Sequence, residues 1–175
     1  MTVWLVTPDK DDSRRGRLKG PMFDAPCALG KHGVIAQDRG FEGDGKTPAG
    51  TYPIRKVFYR PDREEPPVTD LAVEALTPTH GWCDDVESPH YNRLVRLPFG
   101  GSHEKMWRED ALYDLVVVLG HNDDPPVKGL GSAIFLHVAK DGFKPTLGCV
   151  AIEKDALRRF LRQVKPDDRI KVELG

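Results

Sequence analysis

Apolar and polar residues alternate with a period of two along much of this chain, and clusters of glycine, proline and charge interrupt the alternation. Strands are expected at Thr2–Thr7, Met22–Leu29, Val34–Gln37, Thr51–Tyr59 and Leu71–Leu76, and again at Tyr113–Leu119, Ser132–Val138, Cys149–Ile152 and Arg169–Leu174. Tyr113–Leu119 is the most apolar of these and reads as a central strand. Pro8–Pro21 and Arg60–Thr69 read as charged loops, and Gly30-Lys31-His32-Gly33 as a turn. Only Lys154–Val164 carries a clear helical period, with Ala156, Leu157, Phe160, Leu161 and Val164 on one face and Pro166 beyond its end. Glu104–Asp110 is expected to form one or two further helical turns that press Met106 and Trp107 against the body. The pattern predicts a mainly β (α+β) architecture, sandwich or barrel-like, with one covering helix near the C-terminus.

Length and composition narrow this picture. The 175 residues suffice for one ordinary domain and are few for two, and no internal linker or repeat divides them, so a single domain over 1–175 is expected. Seventeen glycines and fifteen prolines fit short strands joined by tight turns. A net charge of −1 gives no basis for a nucleic-acid or membrane-surface partner. No apolar run approaches the roughly 18 residues of a transmembrane helix. The apolar residues Val3–Val6 are too few for the core of a secretory signal. Three cysteines, Cys27, Cys83 and Cys149, fit a reducing compartment better than a disulfide framework. A cytoplasmic location is expected from these signs, although a periplasmic chain whose leader had been removed would read the same way.

Gly40 to Thr47 matches the phosphate-loop pattern G-x-x-x-x-G-K-T, but Pro48, Gly50 and Pro53 oppose the helix that pattern needs. A turn feeding a strand, with Lys46 in solvent, is the better reading. His121, Asp123, His137, Cys83 and Cys149 can be imagined as zinc ligands, but no C-x-x-C or H-E-x-x-H spacing supports them, and no metal or cofactor is expected. The strongest chemical signal runs from Ala133 to Ile152. An apolar strand ends near His137, a polar loop follows, and Thr146-Leu147-Gly148-Cys149 leads into the next strand. Twelve positions separate His137 from Cys149, and the two are expected to meet across a hairpin. The imidazole would take the thiol proton, the thiolate would attack a carbonyl, and the N–H groups of Gly148 and Cys149 would face the oxyanion. Lys140 and Lys144 either make this site electropositive or are simply solvated.

These residues resemble the signature of the L,D-transpeptidase catalytic domain (the YkuD family): a histidine, a spacer, then Ser/Thr-His-Gly-Cys and an apolar residue before Asn or Arg. His137, Thr146, Gly148 and Cys149 match it. Leu147 stands in place of the second histidine, Ala151 in place of Asn or Arg, and the spacer is shorter. The likeness extends from about Ala28 to Val172 and includes the G-x-x-x-T-P-x-G segment ahead of Thr51. By resemblance to a subset of the family carrying G-H-N-D-D, W-C-D-D and Y-N pieces, His121, Asn122, Trp82, Asp84, Asp85 and Tyr91 are expected to line the substrate cleft with Thr146.

The resemblance implies that Cys149, with His137 as base and the Val138 carbonyl orienting the ring, attacks the diamino acid–D-alanine bond of peptidoglycan tetrapeptide stems. It also implies covalent inhibition by carbapenem-type β-lactams. Water as acceptor makes an L,D-carboxypeptidase of recycled muropeptides, the reading favoured by the sequence. An amine acceptor makes an L,D-transpeptidase that forms 3→3 cross-links or exchanges D-amino acids. A non-catalytic peptidoglycan-peptide binding module is the alternative of another class, and retention of both His137 and Cys149 argues against it.

Overall fold

The computed structural model describes residues 1–175. Thirteen strands and one α-helix follow the chain: β1 Val3–Pro8, β2 Arg15–Gly20, β3 Phe23–Ala28, β4 Val34–Ala36, β5 Thr47–Tyr59, β6 Val73–Ala75, β7 His80–Cys83, β8 Leu94–Arg96, β9 His103–Lys105, β10 Leu115–Leu119, β11 Phe135–Val138, β12 Val150–Ile152, α1 Lys154–Gln163 and β13 Arg169–Val172. Hydrogen-bonded neighbours run β10-β11-β12-β3-β2-β1-β13-β5, and β5 pairs β10 in turn, so these strands form a closed circuit. Closure leaves those strands few free edges. The mainly β, barrel-like expectation with a single covering helix holds.

The alternation has a direct structural meaning in β10 to β12. Leu115, Val117, Leu119, Leu136, Val138, Val150 and Ile152 point into the main core, whereas Val116, Val118, Phe135 and Cys149 join a second cluster on the opposite face. The helix closes over the main core with Ala156, Leu157, Phe160 and Leu161. Phe160 meets the Trp4 ring edge-on at 4.7 Å, and Trp4 donates its indole N–H to Asp168 at 3.0 Å. Burying each such large side chain contributes about 1.5–3 kcal/mol.

Several expectations need correction. Pro8–Pro21 is not all loop, because it contains β2: Gly16 and Leu18 face inward while Arg15, Arg17 and Lys19 face solvent. Gly16 sits so close to Thr7 that a Cβ there would lie 2.3 Å from its carbonyl oxygen. The strand expected from Thr51 begins at Thr47, since Thr47–Ala49 pair with β4 despite Pro48. No helix follows the G-x-x-x-x-G-K-T segment. Arg60, expected on a surface loop, is buried with its guanidinium 3.8 Å from the Trp107 ring centroid.

Glu104–Asp110 is not helical either. His103–Lys105 form β9, which pairs with Gly81–Cys83 in a separate three-stranded sheet, β8-β7-β9. Met106 nevertheless reaches the second cluster and Trp107 packs against it, as expected. That small sheet covers the face of the barrel wall that carries Phe135 and Cys149, through the edge-on contact of Trp82 with Phe135 at 5.1 Å.

Candidate active site

His137 and Cys149 come together, but not across a hairpin. β11 and β12 run parallel, with Leu136 opposite Val150 and His137 opposite Ala151. Period-two alternation therefore sets Phe135, His137, Cys149 and Ala151 on one face, with His137 and Cys149 as diagonal neighbours. Both line a cleft of about 670 Å³ between the barrel wall and the small sheet, to which Glu104, Arg108 and Tyr113 also contribute.

The connection re-enters from the other end of the wall because Thr146 is pinned to the segment after β3. Its N–H donates to the Leu29 carbonyl at 2.9 Å, and its carbonyl accepts the Lys31 N–H at 2.8 Å. The Thr146 hydroxyl then braces the turn ahead of Cys149, donating to the Cys149 carbonyl at 2.7 Å and accepting the Gly148 N–H at 3.0 Å. The Gly148 donor expected to face an oxyanion is thus already engaged, while the Cys149 N–H donates to no group of the chain. Gly148 has φ +145°, and a Cβ would lie 2.9 Å from the Lys46 carbonyl oxygen. Glycine is therefore required there by backbone and space together.

His137 is 4% exposed, and its Nδ1 lies 2.9 Å from the Val138 carbonyl oxygen. A neutral ring in that position carries its proton on Nδ1 and leaves Nε2 as an acceptor. Every fully enclosed side-chain nitrogen or oxygen has a partner, and Nε2 has none, so Nε2 opens on the cleft. Burial pushes His137 down to about 4, against the opposing pull of the Val138 carbonyl. Burial, and next the Glu104 carboxyl, push the Cys149 thiol up to about 12. The resting pair is accordingly neutral, not thiolate and imidazolium. The thiol donates to the Ala133 carbonyl at 3.2 Å, and the sulfur accepts the Phe135 N–H at 3.3 Å.

Tyr113, Glu104 and Arg108 were not legible as site residues. The Tyr113 ring packs edge-on to His137 at 5.4 Å, and its hydroxyl donates to Glu104. Burial raises the Glu104 carboxyl despite the Tyr113 bond and Arg108, and the nearby Asp84 and Glu42 raise it further. These carboxylates face a cleft that also holds Lys31, Lys140 and Lys144.

Of the side chains expected on the cleft wall, Thr146 and Asp84 line it and five do not, Asp85 among them. Trp82 lies behind Phe135 and donates its indole N–H to Asn92 at 3.0 Å. Tyr91 donates its hydroxyl to Glu42 at 2.6 Å, so it steadies a cleft residue from behind. His121 and Asn122 border a different cavity with Gln37, Asp38 and Leu130. The His121 ring is buried edge-on to Tyr52, and the Asn122 side chain bonds within its own loop. Leu147, in contrast, stands 77% exposed at the cleft mouth. No three His, Cys, Asp or Glu side chains are grouped to hold a metal ion, and no helix is long and apolar enough to cross a membrane.

Comparison with known proteins places a family match across nearly the whole chain: the L,D-transpeptidase catalytic domain family matches residues 5–172. No curated protein matches in sequence. Among solved structures, Bd1075 of Bdellovibrio bacteriovorus is similar at 15% identity and a TM-score of 0.44; the match covers 97% of this chain and 47% of that one, so this chain spans about half of that protein.

Proposed function

The chain belongs to the L,D-transpeptidase catalytic domain family, and from that premise we propose that it is a cysteine acyl-transfer enzyme that hydrolyses the diamino acid–D-alanine bond of peptidoglycan tetrapeptides, an L,D-carboxypeptidase of muropeptide recycling in the cytoplasm. The observation that carries this reading is the pair at the cleft wall: Cys149 and His137 on one face of adjoining strands, with Nδ1 held by the Val138 carbonyl and Nε2 free.

In the first half-reaction, the Cys149 proton passes to His137 Nε2 as sulfur bonds to the carbonyl carbon. Coupling the two events suits a pair that rests neutral, because neither ion need form alone in a buried site. The tetrahedral oxyanion meets the unpartnered Cys149 N–H. When the C–N bond breaks, His137 returns its proton to the departing D-alanine amine and a thioester remains. Water then gives a proton to His137 and a C–O bond to the acyl carbon, and as the C–S bond breaks His137 returns that proton to the sulfur, restoring the thiol and the neutral imidazole.

Two further features support the reading. A cleft lined by both carboxylates and cationic side chains suits a zwitterionic peptide that carries an ammonium group and carboxylates. Leu147 at the mouth puts an apolar side chain where the family motif has a second histidine, leaving no imidazole there to receive the proton of an incoming amine. Water needs only His137.

The test is mass spectrometry of products from a disaccharide tetrapeptide, with Cys149→Ala as control. Tripeptide and free D-alanine, absent from the control, are expected. Cross-linked dimers or exchange of the terminal D-amino acid would replace hydrolysis by transpeptidation. No product from folded wild-type protein would overturn the catalytic reading in favour of a binding module.

A further inference from the structure

Asn92 lies between β7 and β8, outside the cleft, 5% exposed and with φ +56°. Its amide is used at both ends. Nδ2 donates to the carbonyls of His121 at 3.0 Å and Asn122 at 2.7 Å, and Oδ1 accepts the Trp82 indole N–H and the Ala133 backbone N–H, each at 3.0 Å. Two carbonyls on one side and two N–H groups on the other fix which end of the amide is oxygen. The bond to Ala133 matters because of what Ala133 does next. Ala133 has φ +55°, a left-handed conformation that an alanine holds only when its surroundings impose it. From that turn its carbonyl accepts the Cys149 thiol, and two residues later the Phe135 N–H donates to the same sulfur. The sulfur is thus gripped by both ends of Ala133–Phe135, and Asn92 holds the end that the strand ladder does not.

We propose that Asn92 is a positioning residue for the nucleophile: by fixing the left-handed Ala133 peptide, it sets where the Cys149 sulfur sits relative to His137. This rests on the reading of Cys149 as nucleophile. It goes beyond a scaffold role, in which Asn92 would merely tie the His121–Asn122 loop to the small sheet.

Two variants separate these roles. Asn92→Gly removes the side chain at a φ that glycine adopts freely. Trp82→Phe removes another donor to the same oxygen and leaves the Ala133 bond in place. For each, the pH dependence of Cys149 alkylation by iodoacetamide is followed on the Cys149 peptide, and kcat and KM are measured for D-alanine release from the disaccharide tetrapeptide. Asn92→Gly is expected to move the alkylation midpoint down toward that of an unburied thiol and to lower kcat about tenfold with KM within about twofold. Trp82→Phe is expected to change neither.

An unchanged alkylation profile and kcat in Asn92→Gly would overturn the proposal, as would an equal effect of Trp82→Phe. Should the glycine variant not fold, Asn92→Asp, its carboxyl kept protonated by the two carbonyls it faces, keeps an acceptor for Ala133 and loses one of the two donated bonds. It is expected to hold kcat within about threefold of wild type, and a loss near tenfold would overturn the proposal. If the wild type releases no D-alanine, the proposed function fails, while the alkylation profiles still decide whether Asn92 controls the thiol.

Discussion

At the residue scale, burial sets the chemistry of the pair more than charge does. His137 falls from an ordinary value of 6.5 to about 4, so between those values the unfolded chain binds more protons than the folded one. The stability due to its neutral burial is therefore fully present above about pH 6.5 and is lost as pH falls through about 4, by about 3 kcal/mol in all. His137→Gln lacks this dependence, so urea unfolding at pH 7 and pH 4 should show the wild type losing about 3 kcal/mol more than the variant. Parallel losses would contradict a buried neutral imidazole. Gly148 is the other residue whose role is set by local geometry. Gly148→Ala should cost about 1–3 kcal/mol in thermal unfolding, through its φ and the Lys46 carbonyl.

At the element scale, the alternation of Ala133–Val138 and Cys149–Ile152 sufficed to set His137 and Cys149 on one face, and that much of the site was legible. The direction of the second strand was not. A connection of this length ordinarily reads as a hairpin loop, and what makes it a crossover is the docking of Thr146 onto Leu29 and Lys31, a contact remote in sequence. The small sheet was hidden for a different reason. Its strands are three or four residues long, and β9, His-Glu-Lys, has no apolar residue to mark an inward face. Glu104, which that strand carries into the cleft, was therefore missed along with it. β2 was concealed because glycine occupies an inward position that close approach to Thr7 denies to any side chain. Thr146→Val tests the element that bears the nucleophile. It strips the Gly148 N–H and the Cys149 carbonyl of their partner and should lower stability by about 1–3 kcal/mol while reducing turnover. Turnover equal to wild type would mean that the turn holds Cys149 without this brace.

At the scale of the whole molecule, the closed circuit of strands makes one rigid wall and the small sheet makes the other, with the cleft between them. The family match over residues 5–172 spans both walls. Asp84 and Glu42 lie close enough to raise the Glu104 carboxyl, whereas Arg108, the cation beside Glu104, is engaged by Asp110 through two bonds of 2.8 and 2.7 Å. The cleft also carries Lys31, Lys140 and Lys144, but an ammonium group of the substrate seated beside these three carboxyls would be held by them. Glu104→Gln should accordingly raise KM about tenfold for stems whose diamino acid carries a free ammonium, with a smaller change in kcat. An unchanged KM would place the ammonium elsewhere.

The proposed chemistry requires Cys149 to become acylated with His137 as its proton acceptor. The most direct measurement is intact-protein mass spectrometry after incubation with a carbapenem, followed by localisation of any adduct to a cysteine peptide. One adduct of the carbapenem mass is expected on the Cys149 peptide, none in Cys149→Ala, and slower formation in His137→Gln. An unmodified wild type, or an adduct on Cys27 or Cys83 instead, would contradict it.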